Sequence, residues 1–197
     1  MIARRSLCCL AVGIWGALAA ACTSPSSEAL GSAVPVPSVF LSHLRPADLG
    51  RQFEAVQLVT VTHDAKSLVI EVILSVRTDR LVLVAQGMLG QRLITVSWTD
   101  SGIIEERSPD LPAFISPTGL LADLVAICWP EDAVRRALGK IGANLRVEGN
   151  QRAIFQGSEE TLRATLGWQA LTPWTGRTRY RNVRAGYSVD IQSVEQL

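Results

Sequence analysis

Residues 66–77, KSLVIEVILSVR, decide the fold class of this 197-residue chain. Every second position from Leu68 to Val76 is apolar, which gives an extended strand one apolar face. The turn-forming residues His63-Asp64-Ala65 separate this strand from an apolar run at 52–62. The two runs therefore predict a β-hairpin.

Further strand-like runs follow the hairpin in two groups. They lie at 80–88, 91–99, 103–107, 144–149, 151–156, 160–168, 176–184 and 186–194. The turns within each group are too short for parallel βαβ units, which favours antiparallel pairing. One antiparallel sheet of about ten strands is expected to curl strongly.

The middle of the chain predicts a helix pair. The stretch SPDLPAFISP at 108–117 contains three prolines and is incompatible with a regular element. Apolar residues at helical spacing predict one helix at 118–128, and Pro130-Glu131-Asp132 begins a second at 131–139. The predicted fold class is mainly β (α+β): a single curved antiparallel sheet, or incomplete β-barrel, of about ten strands closed by this central helix pair.

Composition narrows the classes of function. The chain is 48% hydrophobic and 19% charged, with a formal net charge of +1. It is too apolar for a disordered chain and too weakly charged to bind nucleic acid through bulk electrostatics, so no nucleic-acid partner is predicted. Residues 39–197 are predicted to form one domain, which begins with an irregular lead-in at 39–50.

The N-terminus predicts an export signal. Arg4 and Arg5 precede the uncharged run SLCCLAVGIWGALAAA at 6–21. Two positive charges, a short apolar run and a small-residue end are typical of a secretory signal peptide, here residues 1–21. The run is shorter than the roughly 20 apolar residues that cross a bilayer, and the alternative is an uncleaved membrane anchor.

The segment Leu18-Ala19-Ala20-Ala21-Cys22 resembles the signal-peptidase box of bacterial lipoproteins, with Ala19 where the box prefers Leu. The resemblance implies that the Cys22 thiol accepts diacylglycerol and that residues 22–38 form a flexible tether. Thr23, in place of an Asp, implies export to the cell outer membrane, facing the periplasm. The alternative is an ordinary signal cut nearby that leaves Cys22 as a plain thiol.

No motif points to catalysis. The two histidines, His43 and His63, stand in no metal-binding spacing, and His63 is expected to be solvated beside its turn. Cys128 lies in an apolar helical run, where a small core residue is expected rather than a nucleophile. We therefore predict no enzyme, no metal and no cofactor, and the open alternative is an active site assembled only in three dimensions.

An arginine cluster near the C-terminus predicts an anion-binding or partner-binding face. Arg177, Arg179 and Arg181 alternate along one predicted strand and share a face, and Arg184 follows. Guanidinium groups suit lipid phosphates or an anionic partner, and the alternative is a solvent-facing strand that resists edge pairing. Three further arginines are expected nearby if the sheet curls: Arg92, Arg152 and Arg163.

The inner face of such a sheet is either a packed core or the wall of a cavity, because in an open barrel the two are one surface. We predict that apolar side chains of the third and fourth strands and of the first central helix line that cavity. They are Leu83, Ile94, Val96, Trp98, Leu121, Leu124 and Val125.

Several stretches carry a family resemblance over roughly residues 40–195. They are 80–84 (RLVLV), 89–93 (LGQRL), 120–124 (LLADL), Trp129-Pro130, 173–177 (PWTGR) and 182–187 (NVRAGY). Together they resemble bacterial lipoproteins of uncharacterised function that are often encoded beside aryl-polyene biosynthesis genes. That family is similar in fold to the lipoprotein carriers LolA and LolB, in which a curved incomplete barrel holds acyl chains.

The leading hypothesis is therefore an outer-membrane lipoprotein that binds or transfers an amphiphile in a concave apolar cavity. The resemblance implies the acyl chain of a lipoprotein, or an aryl-polyene lipid, as ligand. The implied partners are the membrane, through the lipid anchor, and a periplasmic carrier protein. The alternative is a non-catalytic scaffold lipoprotein with a packed core that acts through protein contacts.

Overall fold

The computed structural model describes residues 36–168 and 174–196. The predicted signal at 1–21, the lipidation site Cys22 and the tether as far as residue 35 lie outside the described residues. None of the described helices is long and apolar enough to cross a membrane.

Ten strands account for most of the described chain. They are β1 (Phe53–His63), β2 (Lys66–Val76), β3 (Arg80–Gly87), β4 (Arg92–Thr99), β5 (Gly102–Arg107), β6 (Ala143–Glu148), β7 (Gln151–Gln156), β8 (Glu159–Trp168), β9 (Gly176–Asn182) and β10 (Tyr187–Gln196). The helices are α1 (Val36–Leu41), α2 (Pro117–Cys128) and α3 (Glu131–Lys140), with a 3₁₀ helix at Pro46–Leu49.

The ten strands form one open antiparallel sheet in the order β5-β4-β3-β2-β1-β10-β9-β8-β7-β6. Strands β1–β5 make one meander and strands β6–β10 make a second, so each half pairs only sequential neighbours. The predicted fold class, a single antiparallel sheet of about ten strands with a central helix pair, is confirmed.

The two meanders are joined by one long pairing between β1 and β10. It runs from Glu54 opposite Gln196 to His63 opposite Tyr187. Gln57, which is buried on the inner face, donates from its Nε2 to Ser193 Oγ across this junction at 3.0 Å. This pairing places the second meander beside the first, and the helices between them in sequence cover the inner face.

The core lies between the inner face of the sheet and the helices. Alternate strand residues such as Ile70 and Leu74 are fully buried, and they belong to the same hydrophobic cluster as the buried residues of α2 and α3. Trp129, just after α2, has its ring centroid 6.0 Å from that of Trp98 and 6.4 Å from that of Trp174. This aromatic cluster holds the end of α2 against the sheet.

The expectation of an irregular lead-in at 39–50 is wrong. The segment holds the end of α1 and the 3₁₀ helix Pro46–Leu49, and it buries Phe40, Leu41 and Leu44 in the core. Pro46 begins the 3₁₀ helix because proline has its backbone torsion already set for a first helical position. Elements this short carry too few residues for hydrophobic periodicity to reveal them.

Candidate functional site

A cavity of about 430 Å³ lies between the helices and the second meander. Small residues of α2 make room for it, because Gly119, Ala122 and Ala126 recur on one helix face and all border the cavity. Opposite them are apolar side chains of the sheet and its connections, such as Ile154 and Leu162. A volume of this order is typical of small-molecule sites.

The cavity has an apolar interior and a polar rim. Phe40 of α1, Phe114 and Leu138 line the interior. Gln156 and Arg184 also border the cavity and are exposed, so they lie at its rim. Arg184 is the one cation among the described residues that line it. The arrangement suits a molecule with an apolar body and a polar end.

One carboxyl group, that of Asp123, is buried in the cavity wall. Its side chain projects from α2 and is 7% exposed. Asn182 Nδ2 donates to both carboxylate oxygens at 3.0 Å, and the Tyr187 hydroxyl donates at 2.6 Å. Burial raises the pKa of Asp123 to about 6, although these hydrogen bonds work in the opposite direction.

Asn182 also shapes the rim. Its Oδ1 accepts a hydrogen bond from the backbone N–H of Ala185 at 2.8 Å, which orders the turn between β9 and β10. That turn carries Arg184, so Asn182 connects the Asp123 carboxyl group in the wall to the cation at the rim. Sequence reasoning missed this group, although an aspartate inside the apolar run LLADLVAIC was a usable signal.

The seven predicted lining residues lie elsewhere. Leu83, Ile94 and Leu124 border a narrow gap of about 30 Å³ between α2 and the central strands of the sheet, a space for no more than a water or two. Val96, Leu121 and Val125 are buried in the packed core, and Trp98 packs on Trp129 beside a polar surface groove. The larger cavity takes its walls from a different set of residues.

Three predicted arginines share the outer face of the sheet, away from the helices. Arg177, Arg179 and Arg181 are exposed, whereas Thr178 and Tyr180 between them are buried on the inner face. Arg184 is separate from them, at the cavity rim. Of the three arginines expected nearby, only Arg163 is adjacent, directly opposite Arg181.

The expectation that Arg92 and Arg152 lie near the arginines of the outer face is wrong. Arg152 points inward, where its Nη1 donates to the carbonyl oxygens of Trp129 at 2.8 Å and Ala126 at 3.3 Å. It therefore binds the C-terminal end of α2, where a cation is favoured by the helix dipole. Arg92 lies on β4 in the other meander. Four strands, β3, β2, β1 and β10, stand between β4 and β9 in the sheet.

The structure also shows the surroundings of the histidine and cysteine side chains that were considered for catalysis or metal binding. His63 is half-buried rather than solvated, because its ring stacks on Phe114 at a centroid distance of 4.5 Å. Burial raises the pKa of the Cys128 thiol, which disfavours the reactive thiolate. Within residues 36–168 and 174–196, no three His, Cys, Asp or Glu side chains are grouped to hold a metal.

Comparison with known proteins identifies a family and no function. The profile of the family described as "Protein of unknown function (DUF3261)" matches residues 54–195. No curated protein matches the chain. The crystal structure of a DUF1329 family protein from Desulfovibrio piger is similar at a TM-score of 0.36 and 9% identity, covering 82% of this chain and 92% of that one.

Proposed function

The chain belongs to the DUF3261 family of proteins of unknown function, and we propose that it binds or transfers an amphiphile in its inner-face cavity. The observation that carries this proposal is the cavity of about 430 Å³, with small and apolar walls and Arg184 at its rim. The hydrocarbon part of the ligand lies inside, and the polar head stays at the rim.

The driving force for such binding is the burial of hydrocarbon. Each methylene group that leaves water for an apolar site contributes about 0.8 kcal/mol, so a chain of several methylenes supplies useful affinity without any specific polar contact. A rim cation adds selectivity for an anionic head. Binding of this kind needs no covalent step, and we propose that the protein is not an enzyme.

The ligand class and the location complete the proposal. We take the ligand to be the acyl chain of a lipoprotein or an aryl-polyene lipid, as the family resemblance implies. Lipidation of Cys22 would anchor the protein in the outer membrane, facing the periplasm, where a periplasmic carrier protein is the expected partner.

A scaffold function is the second candidate, and one observation favours it. The space between α2 and the central strands of the sheet is only about 30 Å³, so this part of the interior is a packed core. In this case the arginines of the outer face would contact a protein partner, and the larger cavity would hold only water.

Native mass spectrometry separates the two candidates. The compact fragment 34–197 is purified without detergent and sprayed under non-denaturing conditions. The proposal predicts a co-purified lipid adduct that disappears after organic extraction and returns when a fatty acid is added. A fragment that carries no lipid and takes up none would favour the scaffold function.

A further inference from the structure

A second groove, of about 690 Å³, crosses the outer face of the sheet, opposite the side that holds the apolar cavity. Strands β1, β8, β9 and β10 form it. Its polar lining combines guanidinium and hydroxyl groups, among them Thr62, Arg163, Thr165, Arg179, Arg181 and Ser188, with the carboxylates of Glu160 and Asp190. It is shallow and open, in contrast to the apolar cavity under the helices.

The strand register brings these side chains into rows. Arg181 of β9 stands between Arg163 of β8 and Ser188 of β10, and Thr62 of β1 comes next to Ser188. Directly opposed residues of antiparallel strands have their β-carbons about 5 Å apart on the same face of the sheet. Two guanidinium groups and two hydroxyl groups therefore lie side by side across four strands.

The basic charge of this face is only partly neutralised. Asp190 accepts from Arg177 Nε at 2.8 Å and from Arg179 Nε at 2.9 Å, and Glu160 accepts from Arg163 Nε at 2.8 Å. Three arginines thus share two carboxylates. Among the described residues, Arg181 has no carboxylate partner. Like charges directly across an antiparallel pair destabilise a sheet, and Glu160 offsets only part of the repulsion between Arg163 and Arg181.

An anion between Arg163 and Arg181 would turn that repulsion into attraction. Arginine presents a planar fork of donors that matches the oxygens of a phosphate group, and the hydroxyl of Ser188 supplies a further donor. The Thr62 hydroxyl, beside it, already shares a hydrogen bond of 3.0 Å with the Ser67 hydroxyl. Arg163 and Arg179 are the exposed sides of their ion pairs, and Glu160 and Asp190 are partly buried. Ion pairs open to solvent contribute little stability, so a phosphate group can compete for these arginines from the solvent side.

We propose that this outer-face groove is a binding site for phosphate esters, with Arg181 and Arg163 as its principal ligand-binding residues. The site is independent of the amphiphile cavity, because it lies on the other face of the sheet. The phosphate ester comes either from the head group of an anionic lipid or from a soluble metabolite, and both present the same oxygens to the groove.

Calorimetric titration of the full chain in neutral detergent tests the proposal. One arm adds micelles that carry phosphatidylglycerol, a control arm adds micelles that carry phosphatidylcholine, and a third adds glycerol phosphate. The variants are Arg181→Gln and, as a matched control, Arg136→Gln, which removes an exposed arginine from α3. Unfolding temperatures of all three proteins are recorded without ligand.

We expect phosphatidylglycerol or glycerol phosphate to bind, and Arg181→Gln to weaken binding about tenfold, the loss of one charge-assisted hydrogen bond. Without ligand, the unfolding temperature of Arg181→Gln should equal or exceed that of the wild-type protein, since the substitution removes the repulsion between Arg181 and Arg163. Preference for the micelles identifies a lipid head group, and equal binding identifies a soluble ester. Binding of neither probe, or equal loss in Arg136→Gln, would overturn the proposal.

If Arg181→Gln lowers the unfolding temperature, Arg181→Lys replaces it as the test. Lysine keeps the charge and loses the planar fork, so phosphate binding should fall by an intermediate amount. Unchanged binding in Arg181→Lys and in Arg163→Lys would then count against the site.

Discussion

The hydroxyl of Tyr187 donates a hydrogen bond of 2.6 Å to the carboxylate of Asp123, although the two residues are 64 positions apart in the chain. This contact ties helix α2 to strand β10 inside the wall of the apolar cavity. It shows that the cavity is bordered by a buried ionisable group, and that group makes the stability of the fold depend on pH.

Replacing Asp123 with Asn should remove a pH dependence of stability. Because the folded pKa of about 6 lies above the ordinary value of 3.8, the group stabilises the fold fully below the ordinary value. That stability is lost as the pH rises through about 6, by up to about 3 kcal/mol. Asp123→Asn should therefore show a flatter profile between about pH 4 and pH 7.

Urea unfolding at a series of pH values measures this effect. The exposed Asp79, in the turn between β2 and β3, offers a matched control as Asp79→Asn. The control should keep the slope of the wild-type protein. A slope that survives in Asp123→Asn would show that other groups control the pH dependence.

Because of the cavity, a larger side chain should be tolerated at one buried alanine of the helices and should destabilise the fold at another. Ala122 and Ala137 are both buried on helices, and only Ala122 borders the cavity. Ala122→Leu should cost less than about 1 kcal/mol because its extra methylenes enter open space, whereas Ala137→Leu should cost about 1–3 kcal/mol by overpacking. Chemical denaturation of both variants measures the difference, and equal costs would argue against an open cavity.

Arg152 should stabilise the fold as a cation at the end of α2. Arg152→Met removes the donor to the carbonyl oxygens of Ala126 and Trp129, and the expected loss of stability is about 2 kcal/mol. Arg92→Met, at an exposed position on β4, is the control and should change stability by less than about 0.5 kcal/mol. Thermal unfolding of the two variants measures this difference. Similar melting temperatures would contradict a stabilising role of Arg152 at the end of α2.

Gly167 should be irreplaceable because strands β8 and β9 approach closely there. A β-carbon at this position would lie 2.1 Å from the carbonyl oxygen of Arg177. Gly167→Ala should therefore lose at least about 2 kcal/mol. Gly139→Ala, in helix α3 with open space around it, should instead gain up to about 1 kcal/mol. Equal stability of the two variants in urea would show that the strands can separate at little cost.

The local elements were predictable because alternation and helical spacing are properties of short segments. The run at 80–88 is strand Arg80–Gly87, and the run at 118–128 is helix Pro117–Cys128. The pairing of β1 with β10 was not predictable in the same way. It joins segments more than 120 positions apart, as in the bond from Gln57 to Ser193, and depends on how the two halves of the sheet come together.

The cavity was only partly predictable, and the reason is physical. An apolar strand face indicates burial, but it does not distinguish a packed core from a cavity wall. Leu83 and Val96 are buried as expected, yet the space lies where Gly119, Ala122 and Ala126 remove bulk from α2. Small residues in a helix are common, so their spacing alone does not indicate a cavity. It does so only once the positions of the opposing strands are known.

The central claim is that the cavity holds the apolar part of an amphiphile, and titration with a dansyl-labelled fatty acid tests it most directly. Two variants of the fragment 34–197 make the comparison. Ala185→Trp places a bulky ring at the exposed rim of the cavity, and Ala47→Trp places the same ring at an exposed position that does not border it. We predict saturable binding to the wild-type fragment and to Ala47→Trp, and at least about tenfold weaker binding to Ala185→Trp. Equal affinity of all three proteins, or no binding to any of them, would contradict the claim.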